Sequence, residues 1–456
     1  MSDSESMHNL TADQRQLVEA VTSGESTRLL VVAPPGTGKS HAVVAAVVEL
    51  LARVPNAHVL MLAPKALCAY QLAMLADRLQ FGTSVVEVTG RVLDTDISIH
   101  SRDGDSGLPP GVYVVSTGLA KRDDISARLA ASEWDLVVVD EAHGIPAPLI
   151  DFVLRLAADA RVRSLVLLSV MTLKDARLTD RFKAVPWARK NPATSPRFQT
   201  VISYERTPEE QQLYLRLTEF LRIQTNDSFM RDVIERAWRS SAISLEQVLL
   251  RARSLLEIGK STVGRPEFGP WPSISPLVRS GQPSSGDRED RPQVWIDSAA
   301  AAAGLDILLR LISELRSDSK LEAMLAAIEH RREHGTALPS VFTEMRETAI
   351  YIDEALNSRD QVSVRAEGEQ TDLERAKAIG TAGAIVVATD AGIQGFELAT
   401  DTILNYDLPR SRIRMQHRWG RIDRIGREQP ATMLALRDTS EVDPIEDELL
   451  RLHGFI

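Results

Sequence analysis

The run Arg28-Leu29-Leu30-Val31-Val32 and the loop after it, Ala33-Pro34-Pro35-Gly36-Thr37-Gly38-Lys39-Ser40, constrain the fold more than any other stretch of this chain. Four apolar residues in a row read as a fully buried strand of a parallel sheet. An Ala- and Val-rich helix follows directly. Strand, glycine loop and helix start together form the context in which backbone N–H groups close around phosphate oxygens, helped by the positive helix N-terminus. Gly36 and Gly38 allow that close approach, with Pro35 and Thr37 completing the loop. Lys39 supplies a cation for β- and γ-phosphates, and Ser40 a hydroxyl for Mg2+. Ala33 stands where the commonest form of this loop has its first glycine.

A second buried run, Val137-Val138-Val139, ends abruptly in Asp140-Glu141-Ala142-His143. Ligands of open α/β sheets bind at the carboxyl ends of strands, so two acids here are placed for metal and phosphate chemistry. A charged turn after a core strand is the bland alternative, and the phosphate loop upstream argues against it. Val59–Leu62, Val112–Ser116 and Ser164–Leu168 are further strands, each followed by a cluster that could carry function. Strands alternating with helices predict a parallel, doubly wound sheet over residues 1–195.

Residues 196–260 read as a helical connecting segment. Leu213, Tyr214, Leu217, Phe220 and Leu221 form an amphipathic face over 209–222. Ser244 with Gln247 resembles a capping box opening a helix that carries Leu245, Val248, Leu249 and Ala252, with Gly259 as its stop. Residues 261–293 are dense in Gly, Pro, Ser and charge, so the interval 261–298 reads as loop or linker. A second α/β lobe over 299–456 has strands predicted at Val341–Thr343, Val362–Ala366, Ala384–Thr389, Thr402–Tyr406 and Thr432–Leu436.

With 456 residues, 44% hydrophobic and 25% charged, the chain is composed like an ordinary globular protein of two or three domains. Its single cysteine, Cys68, excludes an intrachain disulfide framework and a cysteine-rich zinc site. No apolar run is long enough to span a membrane, and the polar start Met1–Leu10 is no signal peptide; a cytoplasmic location is expected. The net charge of −10 is unlike the basic footprint of a protein that lives by phosphate contacts. Positive charge is concentrated instead at Arg410-Ser411-Arg412-Ile413-Arg414 and Arg418-Trp419-Gly420-Arg421-Ile422-Asp423-Arg424. Arg418, Arg421 and Arg424 recur every third residue, so on a helix they share one face. A solvated helix face is one reading; arginines presented to a γ-phosphate are the other.

These residues together resemble the superfamily-two helicases and translocases, and among them the bacterial Swi/Snf-like remodelling ATPases. Leu10–Gln14 is similar to the adenine-reading glutamine motif, Gly36–Ser40 to motif I, and Ala63-Pro64-Lys65 to Gln71 to motif Ia. Asp140–His143 has the form of a DEAH box; Ala388-Thr389-Asp390 to Gly395 resembles motif V and Gln416–Arg424 motif VI. The Swi/Snf-like signs are Arg206–Gln211 with Tyr214, Asp318-Ser319-Lys320-Leu321, Asn405–Pro409 and Arg424-Ile425-Gly426. Ser240-Ser241 is similar to the group containing the ATPase that recycles RNA polymerase. Two features depart from the pattern. Motif III is Ser169-Val170-Met171-Thr172, with no hydroxyl at Met171, and motif V carries Gln394 and Glu397.

The resemblance implies two RecA-like P-loop lobes, with a helical segment and a flexible linker between them, and ATP hydrolysis between the lobes. Ser40 and Asp140 would hold Mg2+, Glu141 would act as general base, and Lys39, Arg421 and Arg424 would bear on the phosphates. Gln14 would read adenine, and Gly395 would line the nucleotide. His143, Ser169, Asp390 and Gln416 would sense the closed state. Nucleic acid would be held by its backbone near Lys65, Thr117, Thr343 and Thr389, with little sequence specificity. The expected activity is double-stranded DNA translocation, helped by a separate targeting protein. The alternatives are a strand-separating DNA or RNA helicase, and an ATP-driven switch that moves a partner protein without tracking DNA.

Overall fold

The structure, a computed structural model, describes residues 10–79, 84–88, 108–187, 196–225, 227–257, 297–366, 384–390, 392, 398–423, 429–440 and 443–456. The chain divides between residues 194 and 195 into two compact units. The first runs α1 (Ala12–Thr22), β1 (Thr27–Val32), α2 (Lys39–Arg53), β2 (His58–Ala63), α3 (Lys65–Arg78), β3 (Val85–Val88), β4 (Gly111–Ser116), α4 (Thr117–Ala120), α5 (Asp123–Ala131) and β5 (Trp134–Val139). It continues through a 3-10 turn (Ala142–Gly144), α6 (Ala147–Ala158), β6 (Val162–Ser169), α7 (Ala176–Thr179) and β7 (Lys183–Val185).

Its seven strands lie in the order β3-β4-β2-β5-β6-β1-β7, and every pair is parallel. Burial on both faces explains the unbroken apolar runs. Val31, Met61, Val138 and Val166 pack with α1, α2 and α3 on one face, while Leu30, Leu62, Val137, Val139 and Leu167 pack with α5 and α6 on the other. Alternation along each strand sends neighbours to opposite cores. The predicted strands of this unit are present, and β3 and β7 are additional. Both are short edge strands, Val85-Val86-Glu87-Val88 and Lys183-Ala184-Val185, with too few apolar residues to stand out.

The second unit begins with β8 (Arg197–Tyr204), then α8 (Pro208–Gln224), α9 (Ser228–Ser240), α10 (Ala242–Glu257), α11 (Ser298–Glu314) and α12 (Ser319–Glu333). It continues with β9 (Ser340–Thr343), α13 (Arg346–Asn357), β10 (Ser363–Ala366), β11 (Ile385–Thr389), β12 (Thr402–Asn405), α14 (Arg412–Ile422), β13 (Ala431–Asp438) and α15 (Pro444–His453). The sheet order is β10-β11-β9-β12-β13-β8, again all parallel. Helices α8–α11 form a core of their own around Leu213, Leu217, Ile234, Leu245, Leu249 and Leu305.

Two expectations are corrected here. The segment 196–260 is not helical throughout: it opens with β8, which pairs along β13 from Arg197 to Tyr204. As an edge strand whose first four residues are exposed, β8 lacks the buried run that identifies a strand in sequence. Nor does Ser244 cap α10. The cap belongs to Ser241, whose Oγ accepts from the Ser244 N–H at 3.1 Å, while the Ser244 hydroxyl is buried against Thr348. The paired Thr11 and Gln14 do form a full capping box at α1, and Thr207 with Glu210 does so at α8. Gly259 and residues 261–293 lie outside the described residues.

Close packing at the edge of the first sheet depends on Gly111. Its φ is +153°, and a Cβ there would stand 2.6 Å from the backbone oxygen of Ser84. Backbone cannot yield as a side-chain tip can. Gly111→Ala is therefore expected to destabilise the first unit by about 1–3 kcal/mol, read as a lower denaturant midpoint; an unchanged midpoint would refute the contact.

Candidate functional site

Parallel pairing brings the carboxyl ends of β1, β2, β4, β5 and β6 to one edge of the first sheet. Val32 lies opposite Ser169, and Val139 opposite Leu62 and Leu167, so β6 alone separates the phosphate loop from the acids. The loop is tied to that strand where the Ala33 N–H donates to the Ser169 carbonyl at 3.0 Å.

Both loop glycines take left-handed backbone, φ +77° at Gly36 and +75° at Gly38, a conformation in which side chains are strained. Gly38 is the N-cap of α2 and brings no capping side chain, which leaves the helix end open to an anion. Thr37 Oγ1 closes the loop by donating to the Pro34 carbonyl at 2.7 Å. Lys39 is buried, and its Nζ donates to the carbonyls of Ala33 at 2.6 Å and Pro34 at 2.9 Å. An ammonium has three donors, so one remains for a phosphate oxygen. Burial pulls the Lys39 ammonium below its usual range, while the Glu141 and Asp140 carboxylates hold it up. That coupling puts lysine and acids in one electrostatic neighbourhood.

Asp140 is buried at the end of β5, and both of its oxygens are held. Oδ1 accepts from the Glu141 N–H at 2.9 Å, and Oδ2 from Gln71 Nε2 at 2.8 Å. Burial, reinforced by Glu141, pushes its carboxyl up to about 6 despite the Lys39 charge. A divalent cation would relieve the cost of two adjacent acids. The hard oxygen donors of Asp140 and Ser40 are the kind Mg2+ takes, so the residues fit the metal. Glu141 itself sits at φ +53°, a left-handed conformation rare outside glycine and one that marks functional sites. Its Oε2 lies 3.4 Å from His143 Nδ1. Burial, together with the Lys39 charge, lowers the His143 pKa against a smaller opposing pull from Asp140.

Gln14 is buried beside the loop: Oε1 accepts from the Thr11 N–H at 2.8 Å, and Nε2 donates to the Gly38 carbonyl at 3.4 Å. One amide hydrogen and one carbonyl lone pair are left, matching the acceptor and donor that an adenine edge presents. Ser169 Oγ turns back onto its own loop, donating to the Met171 carbonyl at 2.5 Å. In the first unit, then, Gln14, Pro35, Gly36, Thr37, Gly38, Lys39, Ser40, Asp140, Glu141 and His143 share one sheet edge. Gln71 went unrecognised as part of this site. Its signal was available: the second turn of the helix after β2, next to the acid-bearing strand.

In the second unit, Arg418 is neither a solvated residue nor an arginine presented outward. It is fully buried, bidentate to Asp390 at 2.7 and 3.0 Å, and donates to Asn405 Oδ1 at 2.9 Å. Burial would raise the Asp390 carboxyl, yet Arg418, with Arg414 and His417, holds it below the ordinary range. Arg421 stands half-buried in the last turn of the same helix, α14, and Gln416 is exposed on it. Thr343, expected at a nucleic-acid surface, is fully buried, and its hydroxyl donates to Asp407 Oδ2 at 2.5 Å. A threonine ending an inner strand reads alike in sequence whether it faces solvent or a buried acid. Thr389 is also buried, accepting from the Gly392 N–H, whereas Lys65 is exposed and Thr117 half-buried. Arg424, Gly395, Gln394 and Glu397 lie outside the described residues.

Residues 9–168 match the family model described as AAA domain, and residues 319–426 match the one described as Helicase conserved C-terminal domain. By these two matches the chain is similar, in both of its units, to superfamily-two helicases. Proteins similar to this chain include the ATP-dependent RNA helicase DBP8 of Yarrowia lipolytica, 29% identical over 134 residues, 28% of this chain and 30% of that protein. An uncharacterized ATP-dependent helicase, YqhH of Bacillus subtilis, is 32% identical over 123 residues, 25% of this chain and 20% of that protein. The chain spans about a third of the length of the DBP8 relatives. Among solved structures, the Hef helicase domain of Pyrococcus furiosus aligns at a TM-score of 0.49 with 16% identity, covering 96% of this chain and 97% of that one. S. cerevisiae Dbp5 bound to RNA and ADP BeF3 aligns at 0.48 with 13% identity, covering 98% and 93%.

Two outcomes follow from the geometry. Gln71→Leu frees Asp140 Oδ2 and is expected to weaken Mg2+ binding about 10–100-fold, measured by Mg2+ titration with a fluorescent nucleotide; unchanged affinity would deny Gln71 its role. Arg418→Leu strands the buried Asp390 carboxylate and should lower the stability of the second unit by about 3–5 kcal/mol, visible in denaturant unfolding. A melting curve like the wild type would show that the pair contributes nothing.

Proposed function

We propose that the chain is an ATP-dependent nucleic-acid motor that tracks duplex DNA. One observation carries the reading: an uncapped glycine loop with buried Lys39 lies at the same sheet edge as Asp140 and Glu141, and Lys39 is electrostatically coupled to both acids. Lys39 holds the β- and γ-phosphates, and the open end of α2 receives the remaining phosphate charge. Ser40 and Asp140 hold Mg2+, which when bound neutralises phosphate charge. Glu141 accepts a proton from the attacking water, its position fixed by the turn at Ala142–Gly144. Gln14 meets the adenine edge. Arg421 and Arg424 belong to the catalytic set by their resemblance to motif VI, where arginines stabilise the charge that develops on the transferred phosphoryl group. Gly395 belongs to the nucleotide-binding set by its resemblance to motif V.

Duplex DNA as the track rests on the Swi/Snf-like segments, and the net charge of −10 favours a separate protein that brings the motor to its target. The curated relatives named RNA helicases favour a second reading, in which RNA is the substrate. No helix among the described residues is long and apolar enough to cross a membrane.

ATPase rates titrated with single-stranded DNA, duplex DNA and RNA at one fixed salt concentration test the proposal, since salt shifts all three affinities. Duplex DNA should stimulate turnover most. Glu141→Gln should bind ATP yet lose turnover by about 100-fold or more, and Lys39→Ala should lose ATP binding. Equal rates with and without every nucleic acid would sink the motor reading, while stronger stimulation by RNA would reassign the track.

A further inference from the structure

The helical segment of the second unit meets its sheet through a cluster of buried hydroxyls that ends on one acid. Ser240 closes α9, Ser241 caps α10, and Ser244 lies one turn further on; all three are buried. Each places its Oγ 2.7 Å from Thr348 Oγ1 of α13. Ser240 Oγ also donates to Asp407 Oδ2 at 2.7 Å, and Thr343 Oγ1 donates to the same oxygen at 2.5 Å.

Counting protons fixes the direction of these bonds, and leaves none for the longer 3.1 Å contact between the Ser240 and Thr343 hydroxyls. A carboxylate has none to give, so the protons of Ser240 and Thr343 both point to Asp407. Thr348 must then donate to Ser240. With its only proton committed, Thr348 can only accept from Ser241 and Ser244. The hydroxyls form a one-way chain from the α9–α10 corner to Asp407, and such chains strengthen link by link.

Asp407 is joined in turn to the arginine helix. Its backbone carbonyl accepts from Arg418 Nη1 at 2.8 Å, and its Oδ1 accepts from the Glu344 N–H at 2.7 Å. A second bridge runs beside the first: Glu344 Oε1 receives Arg236 of α9 at 3.1 Å and Arg414 of α14 at 2.5 Å. A third lies nearer the surface, where Arg410, just before α14, pairs with Asp232 at 2.6 Å and Glu235 at 3.2 Å, both on α9. Packing alone would be served by apolar residues at these positions, and at less desolvation cost. What the ion pairs and hydroxyls add is a defined register between α9 and α14.

We propose that Ser240 and Arg236 are positioning residues that hold the arginine helix through Asp407 and Glu344, so that the helical segment α8–α11 governs the rate of ATP hydrolysis. This rests on the reading above in which Arg421 acts on the nucleotide. Neither residue is assigned any contact with ATP.

The test is steady-state ATPase of the full chain with saturating nucleic acid, for Ser240→Ala, Arg236→Met and Arg236→Lys, each also combined with Arg421→Ala. Ser240→Ala and Arg236→Met should lower kcat by about five-fold or more with KM for ATP held within about two-fold, while Arg236→Lys recovers part of the rate. Neither change should lower kcat further when Arg421 is already alanine, because both act through the same helix. Should Ser240→Ala fail to fold, the partly exposed Arg410→Gln carries the same expectation. A folded variant with wild-type kcat, or a loss that multiplies with that of Arg421→Ala, overturns the positioning role. In either case, wild-type turnover that Arg421→Ala lowers to a measurable residual rate leaves the reading of the site intact. A wild-type chain without ATPase activity defeats that reading instead.

Discussion

Parallel pairing of β1 with β6, and of β6 with β5, is the constraint on which the candidate site rests. Parallel strands end on the same side, so chemistry carried by loops far apart in sequence is delivered to one edge without long-range side-chain contacts. The register does the positioning. Val32 opposite Ser169 and Val139 opposite Leu167 set the glycine loop and the acids two strands apart. The Ala33 bond to the Ser169 carbonyl then prevents the loop from drifting. Gln71 adds what pairing cannot: it fixes the rotation of the Asp140 carboxylate, and so the direction in which its oxygens would face a metal.

The second unit solves a different problem. Its sheet edge holds Glu344, Asp390 and Asp407 under burial that disfavours charge, and arginines of α9 and α14 enter the same space. Buried ion pairs contribute little net stability over apolar packing, but each partner becomes indispensable once the other is present. The arrangement is therefore rigid against small displacement and intolerant of single losses. Both properties suit an element whose arginines must sit at fixed places.

Much of the first unit was legible because its strands are buried on both faces, and such strands write unbroken runs: Leu29–Val32, Val59–Leu62, Val137–Val139. The loop and the acids stood out because glycine and charge interrupt those runs at their ends. The strand β8 was not legible, since an exposed edge strand carries neither signal. Ser244 reads as the cap because the serines at 240, 241 and 244 are interchangeable in sequence; all three meet the Thr348 hydroxyl, some hundred residues on, and the cap is told only by the Ser244 N–H, which donates to Ser241 Oγ. Arg418 shows the same limit. Periodicity placed it on a helix face with Arg421, but its role is decided by Asp390, 28 positions upstream.

The basic cluster shows how far charge in sequence can stand from charge on a surface. Arg410, Arg414 and Arg418 look like the one positive patch of an acidic chain, the natural place for a phosphate backbone. All three are committed within the second unit, to Asp232 and Glu235, to Glu344, and to Asp390. Each is neutralised by an acid of the same chain, so their field on an approaching polyanion is that of dipoles, falling off faster than that of single charges. These three arginines therefore offer little attraction to a polyanion, and they serve the order of the helix that carries or follows them.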